Sequence, residues 1–211
     1  YNHDSIREYI CNFIMSKLET NQVDPSTGTT LTLGSSGDTI AIPSGVTIAN
    51  SGTATGFGGA NTPAFEAYLS ASQTGIANNS SVKVQFNTEV FDTASAYDNS
   101  SNYRFTVPSG QAGKYFIYAG VQVEAGNGNT DLLEASCQIY KNGSVYRYNQ
   151  NKFNSNPIKY NQIQNQATMD LSVGDYIEIY AHAESNAGSN SNSFNSGSNK
   201  QSYFGGYKII E

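Results

Sequence analysis

Only two histidines, His3 and His182, are available for acid–base chemistry in this chain. His182 stands in an alternating segment beside Tyr180 and Glu184, with no G-x-S-x-G nucleophile motif nearby. A histidine-based triad needs a nucleophile within hydrogen-bond reach, and glycoside cleavage needs two carboxylates at a defined separation in one cleft. The 17 acidic residues are scattered and form no such motif. We therefore predict that the protein is not an enzyme.

Binding chemistry is better represented, in two loops rich in amides. Residues 149–162 combine asparagines with two lysines and two aromatics, and residues 184–201 are built of small polar residues around one phenylalanine. Amides beside aromatic rings suit the hydroxyls and ring faces of sugars, and they also suit adaptable protein contacts. A solvated loop without a ligand is the competing interpretation. The predicted ligand-binding residues are Lys152, Phe153, Lys159, Tyr160 and Phe194.

The composition narrows the range of partners. The formal net charge of −6 argues against nucleic acid and against an anionic membrane, because both need a basic surface. No apolar run is long enough to cross a bilayer. A charged fraction of only 13%, with 15 tyrosines and 20 glycines, is typical of an all-β surface protein. Cys11 and Cys137 form no disulfide framework and are interpreted as free thiols, with a bond between them as the alternative.

Strand periodicity begins at residue 64 and continues to the end of the chain. Apolar and polar residues alternate in short segments separated by turn residues, as in an antiparallel sandwich. Asn142–Gly143 between two such segments predicts a tight hairpin. The predicted strands are 64–71, 81–88, 102–107, 113–123, 132–141, 144–151, 161–172, 175–184 and 202–210.

One of these strands, 175–184, also indicates a subunit contact. Its isoleucines and alanines share one face, which we assign to the core. The opposite face is aromatic with polar tips, and a tyrosine at an interface can bury its ring while its hydroxyl keeps a hydrogen bond. The predicted interface residues are Tyr176, Tyr180 and His182.

The beginning of the chain follows a different pattern. Within residues 1–27, apolar residues at helical spacing over 4–18 predict a short amphipathic helix. An alternative hypothesis starts the working protein at Met15 and treats residues 1–14 as upstream sequence.

Residues 28–62 contain three very short alternating segments separated by Gly/Ser turns. Each is too short to bury a face alone. We predict either a shaft, in which copies of the chain coil around one another, or an extended linker. The remaining residues, 63–211, form the predicted sandwich domain.

Several spaced residues in the sandwich domain form an ordered pattern. Phe86, Asp92 and Tyr97 are followed by Phe105 and by Gly113–Lys114–Tyr115. An L-x-x-G-D step lies at 171–175, and a closing segment at 202–210 has an aromatic before glycine. This pattern resembles the C1q globular-head domain of the C1q and tumour-necrosis-factor-like superfamily. The family's aromatic motif is matched at the first three of these residues, with Phe105 one residue late and Gly113 two residues later still.

This resemblance implies a ten-stranded jelly-roll β-sandwich that assembles as a homotrimer and serves recognition. Some members hold calcium near the three-fold axis with loop carboxylates, and the corresponding candidates are Asp131 and Glu134. No other cofactor is implied.

A looser resemblance concerns residues 28–58, which are similar to segments of structural proteins of marine tailed bacteriophages. It implies a tail-fibre-type or other virion protein, located on the virion or outside the cell, whose tip binds a host-surface glycan or protein. A secreted or cell-surface bacterial C1q-like binding protein is the alternative, and a polysaccharide-cleaving tail spike is a third hypothesis.

Overall fold

The computed structural model describes residues 23–52, 61–126, 131–186, 191–197 and 199–209. The predicted helix over 4–18 lies outside these residues. Where the chain is described it contains thirteen strands and no α-helix, which confirms the all-β class. None of the described segments is a helix long and apolar enough to cross a membrane.

The thirteen strands follow the predicted alternation closely in the second half of the chain. Their bounds are β1 Ala64–Tyr68, β2 Gln73–Ile76, β3 Ser80–Lys83, β4 Thr88–Asp92, β5 Tyr97–Asp98, β6 Arg104–Thr106, β7 Gly113–Glu124, β8 Leu132–Lys141, β9 Ser144–Lys152, β10 Tyr160–Leu171, β11 Tyr176–Ser185, β12 Asn192–Asn195 and β13 Tyr203–Lys208.

These strands form two antiparallel sheets that make a jelly-roll sandwich. Sheet A has seven strands in the order β2-β12-β7-β13-β1-β4, with β10 on the other side of β7. Sheet B has six strands in the order β5-β6-β11-β8-β9, with β3 also paired to β11. The predicted hairpin at Asn142–Gly143 joins β8 to β9, and both residues have positive φ, 52° and 77°, as that tight turn requires.

The core between the sheets is aromatic at one end. The ring of Phe65 stacks on Phe105 at 4.7 Å and on Tyr97 at 5.3 Å, and it meets the edge of Phe204 at 4.9 Å. Such pairs contribute roughly 0.5–1.5 kcal/mol each beyond the burial of their area. Because Phe65 and Phe204 come from sheet A and the other two from sheet B, these contacts hold the sheets face to face.

Thirteen strands are present rather than the ten that the family resemblance implied, because several short pieces pair separately. The predicted strand 81–88 is divided between β3 and β4, with Val84 and Phe86 buried between them. β12 forms inside the predicted loop 184–201, where it pairs with β2 and β7.

Residues 23–52 belong to a separate unit of the chain. They contain turns and bends but no strand or helix, and all of them are exposed except Pro25. The predicted short strands at this position have no backbone partner within the described part of the chain.

Candidate functional site

Four of the predicted ligand-binding residues lie around the connection between β9 and β10. Tyr160 begins β10 and its side chain is 54% exposed. Phe153 packs partly against the core and leaves the rest of its ring at the surface. Two of the four predicted residues line a surface pocket of about 510 Å³, whose lining residues are Lys152, Phe153, Asn154, Ser155, Asn156 and Ile158.

The two lysines of this region are paired with carboxylates of the same chain. Lys152 Nζ lies 3.0 Å from Glu134 Oε2, and Lys159 Nζ lies 3.6 Å from Glu124 Oε1. Their charges are therefore largely balanced. The pocket offers an aromatic ring, amides and hydroxyls, and these groups hydrogen-bond or stack against a neutral polar ligand.

The prediction that Phe194 is a loop residue open to a ligand is wrong. Phe194 lies in β12 and is fully buried. Its neighbour Asn192 is also buried, and the Asn192 side chain accepts hydrogen bonds from Gly126 N at 3.1 Å and Ser185 Oγ at 2.9 Å. These hydrogen bonds hold β12 against the neighbouring strands, and Phe194 of that strand is therefore a core residue.

A second candidate binding site is a groove between the edge strands β9 and β10. The sequence pattern did not predict it. Its volume is about 500 Å³, and its lining residues come from both strands: Arg147, Tyr148, Asn149, Gln164, Asn165 and Gln166. Arg147 Nη1 donates to Gln166 O at 2.8 Å, and Asn149 Nδ2 donates to Gln164 O at 2.6 Å. These bonds close the open side of the sandwich and occupy backbone carbonyls that would otherwise accept from another strand.

The residues predicted at a trimer interface lie on the outer face of sheet B, where they are engaged within the chain. Tyr180 stacks on Tyr140 at 4.1 Å between ring centroids, and the guanidinium of Arg104 lies 4.3 Å from the ring centroid of Tyr176. His182 is 8% exposed, and its Nε2 lies 3.1 Å from Asn79 Oδ1. No observation tests their role at an interface, which stays a prediction.

Charged groups cross the same outer face of sheet B. Lys83 Nζ lies 2.5 Å from Glu178 Oε1, and only 6% of the Glu178 side chain is exposed. Lys141 Nζ lies 2.9 Å from Asp175 Oδ2. Covering this face would remove these charged groups from water, at a desolvation cost that their existing pairing does not recover.

Of the two residues of the implied calcium site, Glu134 is already engaged within the chain, and the calcium site stays a prediction. Glu134 accepts a hydrogen bond from Gln150, pairs with Lys152, and lies 3.5 Å from Nδ1 of His182. Calcium takes six to eight oxygen ligands, roughly, and prefers several free carboxylate and carbonyl oxygens. Across the described ranges, no group of three His, Cys, Asp or Glu side chains is placed to hold a metal ion.

The outer face of sheet A presents a different arrangement of tyrosines, in which two of the rings pack closely over glycines. Tyr203 is paired with Gly120, and Tyr118 is paired with Gly205. A Cβ placed on Gly120 would stand 2.7 Å from the Tyr203 ring, and one on Gly205 would stand 2.5 Å from the Tyr118 ring. Only glycine allows this approach, and the result is a surface of aromatic rings packed closely over the backbone.

Further aromatic rings continue this surface along β7 and β13. The Phe116 ring lies 5.6 Å from Tyr207 and 6.1 Å from Tyr118. Tyr118 and Tyr203 lie 6.2 Å apart. We define the aromatic face of sheet A as Phe116, Tyr118, Gly120, Tyr203, Gly205 and Tyr207.

The hydroxyls of this face already have partners in the same chain. Tyr118 Oη donates to Glu66 Oε2 at 2.8 Å, and Tyr203 Oη accepts from Gln164 Nε2 at 2.9 Å. Burial and the nearby Glu66 raise the pKa of Tyr118 well above its usual value, so the hydroxyl stays protonated. Glutamines and a threonine of β10 border the rings: Gln162, Gln164, Gln166 and Thr168.

Cys137 belongs to β8, and its side chain lies in the core. It is fully buried, and burial raises the pKa of its thiol to about 12. A thiol of this kind is protonated and unreactive at neutral pH. Cys11 lies outside the described residues.

The chain is similar to solved structures, but it matches no family model and no curated protein. Among solved structures, the globular domain of zebrafish complement 1qA is similar with a TM-score of 0.49 at 13% identity, covering 71% of this chain and 99% of that one. Murine APRIL is similar with a TM-score of 0.49 at 11% identity, covering 69% of this chain and 98% of that one.

Proposed function

We propose that this chain is a non-enzymatic recognition module that assembles as a homotrimer, with the aromatic face of sheet A in the subunit interface. The continuous row of aromatic rings on that face, with Tyr118 and Tyr203 packed over glycines, carries the proposal. Tyrosine supplies contact area at little cost in conformational entropy, and it is enriched at the energetic centres of interfaces. Three is the number of subunits that the C1q-like resemblance of the sequence implies.

The hydrogen bonding of this face supports the same assignment. The hydroxyls of Tyr118 and Tyr203 are bonded within the chain, so a partner that covers the rings leaves neither hydroxyl without a hydrogen bond. The outer face of sheet B lacks this property, because ion pairs such as Lys83–Glu178 cross it. The interface is therefore proposed on sheet A and not at Tyr176, Tyr180 and His182.

The ligand site is proposed at the connection between β9 and β10, around Phe153 and Tyr160. The pocket there combines amides and hydroxyls with an aromatic side chain, which is the chemistry of a polar ligand such as a host-surface glycan. A protein loop is the second candidate ligand. Three copies of a weak site on one trimer would bind a repetitive surface with useful avidity.

The biological setting is proposed from the resemblance of residues 28–58 to structural proteins of tailed phages. In that setting the chain is a tail-fibre-type protein of the virion. The alternative is a secreted or cell-surface bacterial binding protein. Antibody raised against this chain should label intact virions in electron micrographs, and labelling of uninfected bacterial cells instead would favour the alternative.

The solution mass of the chain tests the assembly. Light scattering of the full chain at low micromolar concentration is expected to give three times the chain mass. A stable monomer would overturn the proposal.

Binding of the trimer to immobilised glycans of host surfaces tests the ligand site. We expect the substitution Phe153→Ala to weaken this glycan binding. Retention of full binding by that variant would exclude this pocket.

A further inference from the structure

Residues 30–49 expose an unusual concentration of aliphatic side chains. Leu31 is 43% exposed, Leu33 63%, Ile40 59%, Ile42 47%, Val46 57% and Ile48 57%. In the described part of the chain, every leucine and isoleucine among the exposed large hydrophobic side chains lies in this stretch. Exposed apolar side chains at this density mark a surface that is covered in the working protein.

The backbone of the same stretch also makes few hydrogen bonds. Its hydrogen bonds are confined to turns, where Asp38 N donates to Ser35 O at 3.0 Å and Val46 N donates to Pro43 O at 3.2 Å. Apart from that bond of Val46, the backbone groups of 31–33, 40–42 and 46–48 have no backbone hydrogen bond to any other described residue. Extended segments of this kind complete their hydrogen bonds by pairing with another strand.

The same short pattern occurs three times in the stretch, beginning at residues 31, 40 and 46. Each repeat contains two apolar residues separated by one small or polar residue, followed by a turn. The turns contain Gly37 and Gly45, whose φ values of 95° and 85° are those that glycine adopts readily. The repeat therefore presents the same apolar edge three times along one chain.

We propose that residues 30–49 of several copies of this chain wind around one another and form an intermolecular β-structured shaft. Leu31, Leu33, Ile40, Ile42, Val46 and Ile48 point to the shared axis, and the backbone groups between the turns pair from chain to chain. The alternation places the intervening residues Thr32, Ala41 and Thr47 on the outside.

Charge and composition identify copies of this chain as the partner. Asp38 is the only charged residue between Pro25 and Asn61, so identical segments can lie side by side with little repulsion. A stretch made of repeats is complementary to itself, because the same spacing of apolar residues recurs in each copy. Any association between the sandwich domains would raise the local concentration of these segments further.

Cysteine cross-linking in the full chain tests the shaft. In a Cys11→Ser background, the variant Ile40→Cys places a thiol at the proposed axis, and Ala41→Cys is the matched control one residue away. We expect mild oxidation to give a covalent dimer for Ile40→Cys at least tenfold more efficiently than for Ala41→Cys. Equal cross-linking of both variants, or none of either, would overturn the shaft.

Hydrogen exchange in the unmodified chain provides a test that needs no substitution. The amides of residues 31–33, 40–42 and 46–48 are expected to exchange at least tenfold more slowly than in an unstructured peptide of the same sequence. Free exchange would refute the shaft. If light scattering gives a trimer while these amides exchange freely, the shaft is refuted and the proposed function stands. If light scattering gives a monomer, the proposed function itself is contradicted.

Discussion

The outer faces of the two sheets both carry tyrosines, yet they use them in opposite ways. On sheet A, Tyr118 and Tyr203 pack closely over glycines of the neighbouring strands. On sheet B, Tyr140 and Tyr180 stack on each other, and the Lys83 ammonium lies 5.9 Å from the Tyr180 ring centroid. The first arrangement leaves aromatic area for a partner, whereas the second uses that area within the chain.

The difference comes from the residues opposite each tyrosine in the pairing register. Glycine stands opposite the sheet A tyrosines, while Glu178 and Gln138 stand opposite Tyr140 and Tyr180. A long polar partner fills the space beside a ring and brings its own charge or amide. The identity of a cross-strand neighbour thus decides whether a tyrosine-rich face is free to bind.

Truncating the tyrosines of sheet A should have the largest effect on assembly. We expect Tyr118→Ala with Tyr203→Ala to weaken self-association by roughly 1000-fold, since tyrosines at the centre of an interface contribute about 2 kcal/mol each. Sedimentation over a concentration series measures the change. The matched control is Tyr140→Ala with Tyr180→Ala on sheet B, which should leave the oligomer mass unchanged. Equal weakening by both pairs would remove the distinction between the faces.

Filling one glycine of sheet A should have a smaller effect through the same rings. In Gly205→Ala the new Cβ would stand 2.5 Å from the Tyr118 ring, so the ring must lift from the sheet. We expect self-association to weaken about tenfold, in keeping with the cost of misplacing one anchor residue. In a Tyr118→Ala background the same substitution should add little, and an undiminished effect there would contradict the mechanism.

Breaking an ion pair of sheet B should change stability and not assembly. Lys83→Met leaves the Glu178 carboxylate, whose side chain is only 6% exposed, without its cation. We expect the free energy of unfolding to fall by about 1–3 kcal/mol, with no change in oligomer mass. Denaturant titration provides the measurement. The control Lys159→Met, which breaks a far more exposed pair with Glu124, should cost less than about 1 kcal/mol.

The smallest expected effect is a dependence of stability on acid at the β10–β11 turn. Hydrogen bonds from Asn142 and Lys141 lower the pKa of Asp175 from 3.8 to about 2. Because the folded state has the lower pKa, the ionised carboxylate contributes stability above about pH 4, and that contribution is lost as the pH falls through the folded value. The melting temperatures of the wild type and Asp175→Asn should therefore converge between pH 5 and pH 2. A difference in melting temperature that stays constant over that range would contradict a stabilising role of the Asp175 carboxylate.

The sequence predicted one part of the binding region and not the others. The loop over 149–162 was identified from its amides and aromatics, and a pocket lies there. Arg147 and Gln166 of the neighbouring groove were missed, because they belong to different sheets and meet only where β9 and β10 close the sandwich. Phe194 was misassigned, since four residues among asparagines and serines carry no periodic signal and tertiary packing alone buries them.

The sequence alone determined that this chain forms an antiparallel sandwich, and where its long strands lie. Period-two alternation over β7, β8, β10 and β11 is a local property, because successive side chains of a strand point to opposite faces. The Asn142–Gly143 hairpin was equally local, since those residue types adopt the positive φ of a tight turn.

Only the tertiary structure decided which outer face is available to a partner. Alternation shows that Tyr118, Tyr180 and Tyr203 point away from the core, but it does not show which residues stand beside them. Those neighbours come from strands far apart in sequence, such as β7 with β13 and β3 with β11. Because pairing register is a long-range property, a face of aromatic rings packed over glycines and a face crossed by ion pairs have similar local sequences.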